Sequence, residues 1–155
     1  MPKIEELVQV RQFASPWHRV TVNVIYTCNW LNDLLEKRAA AKQLTLQQFN
    51  VLRILRGQFP KPVTNNLLKD RLLTKTPDIS RLMDRIVGKG LVSREKNQLD
   101  KRAVDLVITQ EGLDLLMEIE NDMMLDDVLS NNISTEECLQ LSELLDKFRG
   151  PLEEY

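Results

Sequence analysis

Residues 79–103, ISRLMDRIVGKGLVSREKNQLDKRA, concentrate the groups in this chain whose type and spacing suit a particular chemistry. Ser80, Arg81 and Arg85 fall on the polar side of an amphipathic pattern. Arg94, Lys96, Lys101 and Arg102 follow within nine residues, in a polar run between two apolar stretches. A guanidinium fork matches the two acceptors that guanine presents in the major groove of a duplex. Basic side chains on a hairpin tip suit a narrow groove of high negative potential. This is the chemistry of recognising nucleic acid, not of making or breaking bonds. The plain alternative is an edge hairpin kept soluble by its charges. What separates the two readings is the neighbouring helix, whose exposed face is also basic.

Enzyme readings fare badly beside it. His18 is the only histidine, which excludes an HExxH motif and any paired-histidine metal site. There is no GxGxxG, no Walker-type phosphate loop and no GxSxG. Acidic pairs such as Asp126-Asp127 lie on an acidic helix and read as solvated surface. The expectation is a non-enzyme that needs neither metal nor cofactor.

The formal charge of −2 hides a strong asymmetry. Residues 1–102 hold 19 Lys and Arg against 9 Asp and Glu, a balance of +10; residues 103–155 hold 2 against 14, a balance of −12. A polyanionic partner responds to that local distribution more than to the total. The N-terminus lacks the apolar core of a signal peptide, and no stretch approaches the roughly 18 apolar residues of a membrane helix. A soluble, cytoplasmic protein with no membrane partner is expected. At 155 residues the length suits one domain.

Several elements must position the basic groups. Residues 4–12 form a short helix candidate. Ser15-Pro16 is a helix start, a capping hydroxyl followed by proline at the first helical position. Val20, Val24, Cys28, Leu31 and Leu35 then recur at threes and fours, predicting a long helix to about Gln43. Thr45 caps the next helix, which buries Leu46, Phe49, Leu52 and Leu55. Gly57 and Pro60-Lys61-Pro62 end it and keep the connection extended. Thr64 opens a short helix, and a turn at residues 74–76 follows it. Over residues 77–88, Ile79, Leu82, Met83, Ile86 and Val87 give one continuous apolar face. Gly88 and Gly90 end that helix.

The period then changes from 3.6 to 2. Val92, Arg94 and Lys96 alternate with Ser93 and Glu95, and Val104, Leu106 and Ile108 with Ala103, Asp105 and Val107, so a hairpin is predicted. Gln110 opens a long acidic helix with Leu113, Leu116, Met117, Met124 and Val128 on one side. Asn131-Asn132 breaks it, and Ser134 to Glu137 is a capping box for the last helix. The predicted fold is mostly α with a small β-hairpin: a winged helix-turn-helix flanked by long helices. The apolar stripes of those flanking helices want a partner, most simply a second copy of the chain.

At this point the residues resemble a known family. Ser80-Arg81-Leu82, Asp84-Arg85, Gly90-Leu91-Val92, Arg94, Asp100-x-Arg102 and Ile108-Thr109 before Gly112 look like the recognition helix and wing of the multiple-antibiotic-resistance regulator (MarR) family. Residues 44–55, LTLQQFNVLRIL, are similar to the helix that family has upstream. The resemblance covers nearly the whole chain and implies a dimeric transcriptional regulator, usually a repressor, on a near-palindromic DNA site. It implies dimerisation helices at 1–43 and 113–155 and a DNA-binding part at 44–112. By position, Ser80, Arg81 and Arg85 would face the major groove, and Lys75 and Thr76 would sit near phosphates. Arg102 would be the wing arginine and Asp100 would hold the wing in shape. Asp84 would orient Arg81 or Arg85. Small aromatic ligands often release DNA in this family, and Trp17, His18, Tyr26 and Trp30 are candidates to line such a pocket, or to pack a dimer core. Lys101 stands where the family commonly has arginine, and Asn65-Asn66 where it has an acidic residue and a small one.

Two other readings stay open. Cys28 could serve a thiol-based redox-sensing regulator, although its place in an apolar stripe favours a buried core thiol, as it does for Cys138. A winged helix could also be a protein-interaction module that binds no DNA.

Overall fold

A computed structural model describes residues 1–72, 78–97 and 104–151. In chain order the elements are α1 (Ile4–Leu7), α2 (Pro16–Ala41), α3 (Leu46–Arg56), β1 (Val63–Thr64), α4 (Asn65–Arg71) and α5 (Ile79–Gly88). After these come β2 (Val92–Lys96), β3 (Val104–Ile108), α6 (Gln110–Met124), α7 (Asp126–Leu129) and α8 (Thr135–Arg149). The chain divides into two compact units, Met1–Ile119 and Glu120–Tyr155.

Local chemistry sets most helix starts. The Ser15 hydroxyl accepts from the His18 amide at 3.1 Å, with Pro16 in the first turn of α2. Thr45 and Gln48 form a reciprocal capping box on α3, and Ser134 and Glu137 form another on α8. Each cap satisfies amides that a helix start otherwise leaves without partners, worth about 0.5–2 kcal/mol.

Left-handed residues set several ends. Gln9 (φ 56°) lies just beyond α1, which therefore stops well short of residue 12. Gln43 (φ 57°) ends the α2 region, two residues after Ala41. Leu125 (φ 62°) separates α6 from α7, so the long acidic helix breaks there rather than at Asn131-Asn132. Side chains tie α1 to α2: Arg19 Nε donates to the Glu5 carboxylate at 2.6 Å. That bond holds the Glu5 carboxyl below the usual glutamate range.

The core of the first unit joins α3, α4, α5 and the sheet. Leu52, Leu55, Leu68, Met83, Ile86 and Leu106 are among its fully buried side chains. Burying each contributes on the order of 1.5–3 kcal/mol. The sheet has three antiparallel strands in the order β1-β3-β2, with Val63 opposite Leu106 and Val92 opposite Ile108. The third strand, β1, was not expected from the sequence. It is two residues long, follows a proline and has no alternation to reveal it. Its pairing ties the start of α4 to the hairpin.

α6 buries Gly112, Leu116, Ile119 and Met123, whereas Met117 and Met124 are exposed. The covered face is thus rotated from the one the apolar spacing suggested. α8 buries none of its residues, and Leu139, Leu141, Leu144 and Phe148 are exposed. Among the described residues no helix is long and apolar enough to cross a membrane.

Candidate functional site

α5 presents the amphipathic division that its sequence predicts. Ile79, Leu82, Met83 and Ile86 are buried, while Ser80, Arg81, Asp84 and Arg85 are exposed. Asp78 serves two purposes at its start. Oδ1 accepts from the Arg81 amide at 3.0 Å, capping the helix, and Oδ2 lies 3.0 Å from Arg81 Nε. One carboxylate therefore both fixes the helix end and holds the first guanidinium of the exposed face. An aspartate immediately before an amphipathic helix is the signal that could have assigned it this role. The helix ends in a Schellman turn. Gly90 takes φ 74° and donates to the Val87 carbonyl at 2.9 Å, and Leu91 donates to that of Ile86 at 3.3 Å. The reversal feeds the chain directly into β2.

An ion pair joins the apolar packing that holds the hairpin to α5. Arg94 lies opposite Leu106 in the ladder and so projects to the face of the sheet that carries the buried Leu106 and Ile108. α5 packs against that strand, and Arg94 Nη1 meets Asp84 Oδ1 at 2.8 Å. Asp84 therefore holds Arg94, not Arg81 or Arg85; Arg81 is held by Asp78. The spacing along α5 could not reveal this, because the partner lies on another element. In the second half of the hairpin, Glu95 faces Asp105 across the strands, an unfavourable like-charge pair. Asn97 relieves it by donating from Nδ2 to Asp105 Oδ1 at 2.8 Å. At the base, the Thr109 hydroxyl donates to the Gly90 carbonyl at 2.7 Å and accepts from the Gly112 amide at 3.2 Å. This joins the end of the wing, the turn after α5 and the start of α6. Lys96 is exposed at the end of β2.

The Asp84–Arg94 pair predicts a measurable coupling. Asp84→Asn and Arg94→Gln should change duplex affinity non-additively, with an interaction of about 0.5 kcal/mol or more in a double-mutant cycle. Strictly additive effects would mean that the pair does not set the wing.

Lys75, Thr76, Asp100, Lys101 and Arg102 lie outside the described residues. On α2, Trp17 is 78% exposed, and Tyr26 and Trp30 are each 40% exposed. Tyr26 and Trp30 are one turn apart on the same face. Trp17, nine residues before Tyr26, lies about half a helical rotation away at 100° per residue. His18 packs edge-on to Phe13, with ring centroids 5.3 Å apart. Cys28 and Cys138 are exposed free thiols, which corrects the buried-thiol expectation for both. Periodicity placed Cys28 beside Val24, Leu31 and Leu35, but those residues are themselves only half-buried. The Asn32 side-chain amide approaches the Cys28 sulfur at 3.7 Å. No group of three or more His, Cys, Asp or Glu side chains among the described residues could hold a metal ion.

Comparison with known proteins bears on the whole of this arrangement. Residues 42–103 match the profile of the MarR family. The HTH-type transcriptional regulator MhqR of Bacillus subtilis (strain 168) is 27% identical over 116 residues, spanning 74% of this chain and 79% of that protein. The crystal structure of a MarR transcription factor from Planctomyces limnophilus superposes with a TM-score of 0.67 at 27% identity, covering 86% of this chain and 98% of the other. A cysteine-to-serine mutant of E. coli MarR, crystallised with operator DNA, gives a TM-score of 0.68 at 28% identity over 81% of this chain and 91% of its own. With the α3–α4–α5 core, the hairpin packed on α5 and these likenesses together, the chain has the winged helix-turn-helix fold of the MarR family of transcriptional regulators, whose profile its residues 42–103 match.

Proposed function

We propose that the chain is a sequence-specific DNA-binding repressor that acts as a homodimer on a near-palindromic operator. The observation that carries this reading is the exposed cationic face of α5, with Ser80, Arg81 and Arg85 outward on a helix whose other face is buried. α5 enters the major groove, where Arg81 and Arg85 meet base edges and phosphates. The hairpin, braced by Asp84 and Arg94, reaches toward the adjacent minor groove with Lys96, Lys101 and Arg102, while Asp100 keeps the tip in shape. Lys75 and Thr76 lie against phosphates before the recognition helix. The E. coli MarR structure with operator DNA supports this assignment by its likeness in fold and sequence.

Two copies place two recognition helices on successive major grooves, roughly 34 Å apart. The exposed Ile25, Tyr26 and Trp30 of α2 and the exposed Leu139, Leu141, Leu144 and Phe148 of α8 support a dimer, because apolar side chains at this density seek cover. Tyr26 and Trp30, one turn apart on α2, are the candidates for contact with a small aromatic ligand that releases the DNA; Trp17, on the other side of the helix, does not join them there.

The test is fluorescence anisotropy with DNA from upstream of the protein's own gene, against scrambled DNA, over a salt series. Tight and sequence-selective binding is expected, with log affinity falling against log salt by about 0.9 per phosphate neutralised. Arg102→Ala should weaken binding to both duplexes and flatten that slope by about 1 for each wing lost. Unchanged affinity would remove the wing from the proposal. Weak binding blind to sequence would favour a protein-docking module instead.

A further inference from the structure

α3 and α4 border an open groove of about 310 Å³, lined by Asn50, Arg53, Ile54, Arg56, Gly57 and Arg71. Three of the six residues are arginines, contributed by the last turns of two different helices. Among the described residues neither Arg53 nor Arg71 has a carboxylate partner. Arg53 instead lies over the Phe49 ring, 5.8 Å from its centroid, which steadies the guanidinium without neutralising it. Basic residues near helix C-termini are favourable by themselves, through the macrodipole. That effect explains neither the concavity nor the convergence of both helices' cations on it. Like charges brought together repel, and a bound anion would add attractive terms that offset that repulsion.

We infer that this groove binds the phosphate of a small phosphorylated ligand. Arg53 and Arg71 supply planar forks that suit bidentate contact with phosphate oxygens. Asn50 adds an amide donor, and Ile54 offers an apolar wall to the remainder of the molecule. The volume lies at the lower end of small-molecule sites, larger than a phosphate alone requires. α3 and α4 both pack against α5, so an occupant bridging them bears on the recognition helix. The binding itself does not depend on the DNA-binding proposal; only its coupling to operator affinity does.

The same chemistry could be met by a phosphate of the DNA backbone, and the experiment separates the two sources. The full chain is titrated calorimetrically with inorganic pyrophosphate at low ionic strength, as wild type and as Arg53→Gln, Arg71→Gln and Arg11→Gln. Arg11 is an exposed arginine remote in sequence from the groove, and its replacement makes the same change in charge. Saturable binding is expected, weakened about tenfold or more in Arg53→Gln and Arg71→Gln and retained in Arg11→Gln. Because Arg53 packs on Phe49, a melting curve accompanies each variant, and Arg71→Gln decides the matter if Arg53→Gln unfolds. Absence of saturable binding, or equal loss in all three variants, overturns the site. Loss of duplex affinity in Arg71→Gln, without pyrophosphate binding by the wild type, would assign the groove to backbone phosphate and overturn the small ligand.

Discussion

Arg81→Ala is expected to erase most of the preference for operator over a duplex altered at the contacted base, a loss of about 1–3 kcal/mol of discrimination. The side chain is 82% exposed and its guanidinium is already extended from the first turn of α5 by Asp78. An exposed ion pair of this kind contributes only about 0–1 kcal/mol, so releasing or sharing Asp78 costs less than a bidentate base contact returns. Arg81→Lys makes the test sharper. It keeps the charge but loses the fork, so the salt slope should persist while selectivity falls. Anisotropy against matched and altered duplexes measures both. If Arg81→Ala discriminates as well as the wild type, α5 is not the reader. Asp78→Ala would be a poor substitute, because it also removes the helix cap, at about 0.5–2 kcal/mol.

Gly112→Ala is expected to destabilise the fold by about 3 kcal/mol, at the upper end of the cost of overpacking. In an open helix the same change would stabilise by up to about 1 kcal/mol. Here an added Cβ would stand 2.4 Å from the Leu91 carbonyl oxygen and 2.7 Å from Ile108 Cγ1. The isoleucine can shift; the carbonyl cannot easily, since it accepts from the Thr109 amide at 3.1 Å. The Gly112 amide is itself tied to the Thr109 hydroxyl, so the helix start is held from both sides. Relief therefore requires α6 to lift from the base of the wing. Denaturant unfolding of the two proteins measures the difference. An unchanged or raised midpoint would show that the close approach is not obligatory.

Much of this arrangement was legible in the residues themselves, wherever the physics is local. Ser15-Pro16, Thr45 with Gln48, Thr64, and Ser134 with Glu137 mark helix starts because each cap acts within three residues along the chain. The five apolar positions of α5 fix which face is buried, and hence that Ser80, Arg81 and Arg85 face outward. Gly90 announces the reversal into the hairpin because only a left-handed residue completes that turn at low cost. The motif of Ile108-Thr109 before Gly112 could be noticed in the sequence, but its reason lies in the contacts with Gly90 and Leu91.

What only the tertiary structure decided are the pairings between elements. Asp84 was expected to serve its own helix and instead grips Arg94, because β2 packs beside α5 and brings a guanidinium within 2.8 Å. β1 exists as a strand because β3 offers it a ladder; two residues after a proline carry no period of their own. Cys28 sits on an apolar stripe yet is exposed, and α6 buries Ile119 and Met123 rather than Met117 and Met124. Periodicity records which residues share a side of a helix, and packing decides which side is covered. The sequence by itself therefore determined most of the helices, many of their caps, the hairpin and the outward basic face of α5. The ion pair that braces the wing, the third strand and the groove between α3 and α4 came from the fold, because each depends on residues distant in sequence meeting in space.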